Sequence, residues 1–147
     1  MTAEQAIETA IKDALTAANT GGLVYDFRGW WLDDAISAER EDTDPPIIAV
    51  KARPWVPAET ATVGNSQVEI AIVTRFQDDA KRSDLAALYA LVRAVIDANA
   101  WTVSAPLTAL DCIITDSDTF PDAEARRNVC TLAVDADICV DEDYEED

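Results

Sequence analysis

The strict alternation of residue types between Asn128 and Val140 is the feature that most constrains how this chain folds. Six apolar residues fill every second position, and the positions between them are mostly polar or small: Cys130, Leu132, Val134, Ala136, Ile138 and Val140 against Thr131, Ala133, Asp135, Asp137 and Cys139. Successive side chains of a strand point to opposite faces of a sheet. The segment therefore predicts a long strand with one buried face and one wetter face.

Two other segments have helical periodicity. Thr2, followed three residues later by Gln5, matches a capping box, and apolar residues then recur at helical spacing through Leu15. Leu85 to Ile96 predicts a second helix with a broad apolar face, and three residues before or at its start are candidate N-caps: Asp78, Asp79 and Asp84. A helix this apolar needs cover from its own domain or from a neighbouring subunit.

Four further segments are β-prone, being aromatic or rich in β-branched residues: Leu23 to Ile36, Ile47 to Arg53, Gln67 to Phe76 and Leu110 to Thr115. Polar or proline-containing loops are predicted at Ala38 to Pro46, around Pro54, Pro57 and Gly64, and at Asp116 to Arg127. We expect the last two strands to pair. The fold class predicted is α+β, with an antiparallel or mixed sheet of about five strands flanked by two main helices, in the order α-β-β-β-α-β-β.

The charge of the chain is strongly negative. Among 147 residues, 29 are acidic and 11 basic, which gives a net charge of −18. Such a field repels nucleic acid and membrane surfaces. The abundance of Asp, Ala and Thr resembles proteins from extreme halophiles, in which dense carboxylates hold water and cations at the surface. The length fits one domain, which we expect at residues 1–140, followed by an acidic C-terminal tail at 141–147.

The residues needed for common catalytic and metal sites are few. The chain has no histidine, which removes the usual general base and the commonest zinc ligand. Its three cysteines, Cys112, Cys130 and Cys139, show no C-x-x-C spacing and are interpreted as small buried hydrophobes in a reducing compartment. We therefore expect no catalytic residues, no cofactor and no metal site.

One acidic segment has carboxylates spaced closely enough to suggest a calcium site. It contains Asp116, Asp118, Asp122 and Glu124. It departs from an EF-hand pattern because Phe120 stands at a ligand position and Arg127 at that of the closing glutamate. An ordinary solvated loop is the favoured interpretation.

Several residues are candidates for contacts between subunits. Of two adjacent tryptophans in a strand, one faces outward, and an outward aromatic side chain more often marks a protein interface than a sugar platform. Two arginines at a loop end either bridge to an acidic neighbour or serve local solubility, and both readings stay open. The predicted interface residues are Trp30, Trp31, Leu88, Tyr89, Val92, Phe120, Arg126 and Arg127.

The order of elements resembles the tail terminator, or tail-completion, proteins of long-tailed phages and archaeal tailed viruses. The resemblance lies in the opening helix through Leu15 and in the segments QVEIAIVTRF, DLAALYALVRAVID, LDCIITDSD and RRNVCTLAVDADICV. It implies a homohexameric ring in the virion tail or neck, assembled in the host cytoplasm. Such a ring caps the tail tube, contacts the tail tube protein and the head-tail connector, and lets genomic DNA pass through an acidic lumen without specific binding.

Rival functions remain open at this point. A DNA-mimic inhibitor of a nucleic-acid-binding protein predicts acids along one surface, whereas the sequence scatters its acids between core elements. A small carboxylate enzyme predicts a cleft with paired acids and a raised pKa. Another neck or baseplate component would have a similar small α+β build.

Overall fold

The computed structural model describes residues 2–18, 23–26, 46–57, 62–75, 83–122 and 127–141. Within these ranges the chain forms two helices and six strands. In chain order they are α1 (Ala3–Ala17), β1 (Leu23–Asp26), β2 (Ile47–Ala52), β3 (Val56–Pro57), β4 (Val63–Arg75), α2 (Ser83–Ala98), β5 (Leu107–Asp122) and β6 (Arg127–Val140). No described helix is both long enough and apolar enough to cross a membrane.

The strands form one mixed sheet in the order β1-β2-β4-β6-β5, and β3 pairs with β4. β1 runs parallel to β2, and the other pairs are antiparallel. The predicted α+β class is confirmed. The described part holds one strand more than the five predicted, because β3 spans only two residues and is too short to give a periodic signal.

The predicted loop after Thr115 is wrong as far as Asp122, because β5 runs from Leu107 to Asp122 without interruption. Its register shifts between Ile114 and Asp116. Such a bulge adds one residue and reverses the alternation, so the sequence pattern stops in the middle of the strand. β5 also lies at the sheet edge, where polar residues and Pro121 are tolerated.

Gly64 was also placed in a loop, and the structure instead puts it in β4, which begins at Val63. The indole of Trp55 and the carbonyl oxygen of Val56 occupy the space that a side chain at this position would need. The glycine therefore serves a close approach of the Trp55 ring to the strand.

The helices match their predictions more closely. The Thr2 hydroxyl accepts a hydrogen bond from the Gln5 backbone nitrogen at 3.2 Å. The side-chain oxygen of Gln5 accepts one from the Thr2 backbone nitrogen at 3.0 Å, which confirms the capping box. α2 includes the predicted segment Leu85 to Ile96, and Asp84 lies in its first turn. Asp78 and Asp79 lie outside the described residues.

Both helices pack on the same face of the sheet. The core between the helices and the sheet contains alternate residues of the strands, of which Ile48, Ile70, Leu132 and Val134 are essentially inaccessible to water. Each buried aliphatic side chain contributes roughly 1.5–3 kcal/mol of transfer free energy. A smaller buried cluster lies on the opposite side of the sheet and consists of Ile47, Ala49, Val73 and Val129.

Two carboxylates on successive turns of α1 fix this helix to the end of β2. The Glu8 carboxylate, which is 5% exposed, accepts a hydrogen bond from the Ala52 nitrogen at 3.0 Å. Glu4 accepts one from the Trp55 nitrogen at 2.7 Å. These bonds satisfy backbone donors where β2 ends, so α1 and the β2–β3 connection are held as one unit.

Candidate assembly surface

The sheet face opposite the helices, called the helix-free face below, gathers a large share of the described carboxylates. Alternation along β4, β5 and β6 puts six acids there: Glu69, Asp111, Asp116, Asp118, Asp135 and Asp137. All are exposed except the half-buried Asp135. The acids that looked scattered in the sequence therefore share one surface, and that expectation was wrong for these strands.

Side-chain amides hold part of this acidic face in place. Asn65 donates hydrogen bonds to the carboxylates of Asp135 and Asp137, the latter at 3.0 Å. Gln67 donates to Asp135 and to the Asn65 side-chain oxygen, both at 3.1 Å. Asp137 is also the direct cross-strand partner of Asp111, and like charges in that position repel. The amides offset this repulsion within the subunit.

Exposed apolar side chains lie on the same face. The described residues include four strongly exposed large hydrophobics, and three of them, Val56, Val63 and Ile113, belong to the helix-free face by register. Ile113 is 58% exposed and is the cross-strand partner of Asp135. These apolar side chains interrupt the acidic surface and remain exposed in the isolated subunit.

The predicted interface residues of α2 divide between core and surface. Leu88 is 5% exposed and Val92 0%, and both pack in the core of the subunit. Tyr89 is half-buried at its margin. Leu91, at 40% exposure, is the fourth exposed large hydrophobic. The cover that the apolar helix needed thus comes largely from its own subunit, and Leu91 marks the side that remains open.

A polar cluster borders α2. The Tyr89 hydroxyl accepts a hydrogen bond from the Arg93 guanidinium at 2.7 Å and lies 3.3 Å from the Ser117 hydroxyl of β5. The hydrogen bonds with Ser117 and then Arg93 lower the pKa of Tyr89. Arg93 also lies 3.7 Å from the Asp97 carboxylate. The cluster orients the guanidinium of Arg93 at the surface of the helix.

The remaining predicted interface residues lie near or beyond the limits of the described chain. Trp30, Trp31 and Arg126 fall outside the described residues. Phe120 occupies a β5 position paired with Val129, and Arg127 begins β6. Neither Phe120 nor Arg127 is placed beside α2 by strand register.

The cysteines are free thiols, as the sequence suggested. Cys112 and Cys130 are buried on the helix side, whereas Cys139 is half-buried on the opposite side. Burial raises the pKa of Cys112 to about 12, and the neighbouring acid Asp111 adds to the effect. Burial likewise raises the pKa of Cys130. Both thiols are therefore protonated and unreactive at neutral pH.

A shallow depression on the helix-free face brings Arg53 and Glu69 together. Its volume is about 430 Å³, and its lining residues are Arg53, Gln67, Val68, Glu69, Thr131, Leu132 and Ala133. The described lining holds one carboxylate, not the pair that a carboxylate hydrolase uses. Among the described residues, no group of three or more His, Cys, Asp or Glu side chains is arranged to hold a metal ion.

Comparison with known proteins gives a match in structure and none in sequence. No family model matches the chain, and no curated protein matches it. A chain from the virion of a native gene transfer agent particle aligns over 92% of this chain and 96% of its own, at 19% identity and a TM-score of 0.55. The two share a fold. A protein from Akkermansia muciniphila aligns over 97% of this chain and 79% of its own, at 8% identity and a TM-score of 0.43.

The likeness to the virion chain extends over nearly the full length of both proteins.

Two features of the candidate surface were not predicted from the sequence. The gathering of acids on one face required the register of β4, β5 and β6, whose partners are far apart in the chain. The donor role of Asn65 and Gln67 carried no sequence signal, although polar amides at alternate positions of β4 were visible.

Proposed function

We propose that this protein is a structural component of a phage-like particle, and specifically a tail terminator that forms a ring between the tail tube and the head-tail connector. The observation that carries the proposal is the fold shared, end to end, with a chain of a gene transfer agent virion. The four segments that resemble tail terminators lie largely in β4, α2, β5 and β6 of this fold.

The helix-free face lines the lumen of this ring. Its six carboxylates repel the phosphates of passing DNA, which lets the genome slide without binding. The amides of Asn65 and Gln67 hold the acids in fixed positions without adding positive charge. Lys51, the partner of Glu69 on β2, and Arg53 bring positive charge to the same face, but the six carboxylates outnumber them.

Neighbouring subunits meet through the open side of α2 and through the predicted interface residues other than Leu88 and Val92, which pack in the core. Leu91 provides an exposed apolar contact, and the guanidinium of Arg93 beside it provides an oriented charge. A contact of this kind joins two different surfaces of identical subunits, and such heterologous contacts give a ring when the rotation between neighbours closes. Tail tube protein and connector protein then bind the two flat sides of the ring. A position elsewhere in the neck or baseplate would use the same contacts.

Light scattering and negative-stain imaging of the purified protein, at low and at multimolar salt, test the ring. We expect particles of about six chain masses of 15.9 kDa each, with a central hole. Leu91→Glu should abolish them and leave a folded subunit, whereas Ala86→Glu, at another exposed position of the same helix, is the charge control. A chain that stays monomeric alone and with purified tail tubes would refute the proposal.

A second candidate is a DNA-mimic inhibitor, because the six acids of the helix-free face share one surface, as that function requires. This role predicts a monomer or dimer that binds a basic nuclease or repressor in competition with DNA. Removing two of the six charges through Asp111→Asn with Asp137→Asn would weaken such binding and leave ring assembly intact. The two functions therefore separate in one set of variants.

A further inference from the structure

β5 is an edge strand of the sheet, and its outer backbone groups decide whether another strand can pair there. In an antiparallel pair, alternate residues direct both N–H and C=O towards the partner, and the residues between them direct both groups away. Cys112, opposite Ala136 of β6, points away, because its N–H and C=O are both bonded to Asn99. The β5 residues opposite the other even-numbered positions of β6 share this orientation: Leu110, Ile114, Ser117, Thr119 and Pro121.

Asn99 occupies the place of a partner strand at Cys112. Its side-chain oxygen accepts a hydrogen bond from the Cys112 N–H at 2.7 Å, and its side-chain nitrogen donates to the Cys112 carbonyl oxygen at 2.9 Å. A residue of a neighbouring strand would make the same two bonds. Asn99 follows α2 with a φ of 49°, a left-handed conformation that asparagine adopts more readily than most residues. The Trp101 indole N–H donates to the same side-chain oxygen at 3.0 Å, so the carboxamide is held in one orientation.

Two further features close the outer edge beyond the bulge. The Asp116 carboxylate accepts a hydrogen bond from the Ser117 N–H at 2.9 Å, and Pro121 has no N–H. The outward N–H groups of Leu110, Ile114 and Thr119 have no partner among the residues that the structure describes, and they alternate with the closed positions. Apart from the extra residue of the bulge, no two successive outward donors of β5 are therefore open, whereas a pairing strand needs successive ones.

We infer that the chain closes the outer edge of β5 against strand addition, and that Asn99 is the residue that keeps it closed between Leu110 and Ile114. The excluded partner is β5 of a second copy. Two such edges, antiparallel about Cys112, would exchange both bonds at Cys112 and would pair Leu110 with Ile114 of the partner subunit.

Charge alone would not prevent this pairing of two β5 edges. The register about Cys112 puts Asp111 opposite Ile113 of the partner subunit, so no acid lies directly opposite another acid. The hydrogen bonds of Asn99 are thus the obstacle to it. The inference goes beyond the proposed ring and holds whether or not the ring forms. Where the ring forms, its subunits do not share strands at this edge.

Asn99→Gly removes the carboxamide and keeps a residue that adopts the left-handed conformation without strain. We expect light scattering at moderate salt to show that the mean mass of this variant rises with concentration to about twofold or more that of the wild-type chain. Ile96→Val, which leaves a small cavity at a fully buried position of α2, controls for loss of stability and should keep the wild-type mass. An Asn99→Gly chain that keeps the wild-type mass over the same concentrations would overturn the inference.

A second substitution separates strand pairing from association by other surfaces. Ile113 is 58% exposed, and Ile113→Asp puts an acid opposite Asp111 of the partner subunit on both sides of the two-fold axis. Combined with Asn99→Gly, it should restore the wild-type mass, whereas Ala86→Glu, which adds one charge at an exposed position of α2, should not. Circular dichroism checks that each double variant is folded. Association that survives Ile113→Asp would not involve this edge and would overturn the inference.

Amide hydrogen exchange tests the Asn99 contact in the unassociated chain. At concentrations where Asn99→Gly still has the wild-type mass, its Cys112 amide should exchange about tenfold faster or more than in the wild-type chain. The Asp111 amide, which is directed towards β6, should exchange at an unchanged rate and reports any general loosening of β5. A Cys112 amide that keeps its wild-type protection in Asn99→Gly would overturn the assignment of Asn99.

Discussion

Replacement of Asn65 by aspartate tests the acidic helix-free face at its most crowded point. Asn65 donates to Asp135 and Asp137, and Asp137 stands directly opposite Asp111. The substitution removes both donors and adds a third carboxylate at hydrogen-bond distance from two others. Hydrogen bonds to charged groups contribute about 1.5–3 kcal/mol when buried, and two charges 4 Å apart interact by about 1–4 kcal/mol between water and a protein surface. For this partly exposed site we expect a loss of about 2–3 kcal/mol in unfolding free energy at 0.1 M salt.

Salt separates the two parts of that loss. The Debye length falls from about 10 Å at 0.1 M to about 3 Å at 1 M, so high salt screens the added repulsion but does not restore the lost donors. Urea unfolding followed by tryptophan fluorescence should show the deficit shrinking by about half at 1 M salt. Asn65→Ala, which removes the donors without adding charge, should show a smaller deficit that salt leaves unchanged. Thr102→Asp, which adds a charge at an exposed position outside the sheet, is the control for added charge alone. If Asn65→Asp and Asn65→Ala lose equal stability at both salt concentrations, the acidic face is not electrostatically strained and the reasoning fails.

Three further outcomes follow from the packing. Leu88→Glu buries a charge in the core and should unfold the subunit, whereas Leu91→Glu should keep its circular dichroism and melting temperature and lose only assembly; the reverse would contradict the placement of α2. Gly64→Ala should destabilise by about 1–3 kcal/mol in urea, because the new methyl group meets the Trp55 indole, and Trp55→Phe should relieve part of that cost. The pKa of Cys112 is raised from 9.0 to about 12 in the folded state, so the thiol ionises more readily when unfolded. Stability should therefore hold below pH 9 and fall as the pH rises from 9 towards 12, and Cys112→Ala should flatten that fall; an unchanged slope would show that Cys112 does not cause it.

Sequence reasoning recovered those elements whose periodicity is uninterrupted. β6 alternates through its whole length, and the capping box from Thr2 to Gln5 is a local pattern of four residues, so both were predicted almost to the residue. β5 was cut short because its bulge at Ile114–Asp116 reverses the alternation, and the residues beyond it lie at a sheet edge where polar side chains cost little.

The candidate surface was much less predictable than the fold. The apolar stripe of α2 was read as an interface, but Leu88 and Val92 pack against the sheet of their own subunit, which depends on where α2 lies relative to β4 and β5. The opposition of Arg75 and Arg127 depends on the register of two strands 52 positions apart, and no single-strand pattern contains it. Pairing between distant strands thus decides which charged residues lie opposite each other, and the sequence alone gives only their number and order.

The net charge of the chain has a consequence for assembly. Subunits of charge −18 repel each other over long distances, whereas the apolar contact at Leu91 acts over a few ångström. Salt screens distant charges first, because the Debye length of about 10 Å at 0.1 M is far shorter than a subunit. Added salt should therefore favour assembly, and ring formation should rise with salt concentration, which light scattering across a salt series measures directly. Leu91→Glu should form no rings at any salt concentration. A full-length chain whose assembly decreases steadily from the lowest salt would show that repulsion between subunits does not limit the ring.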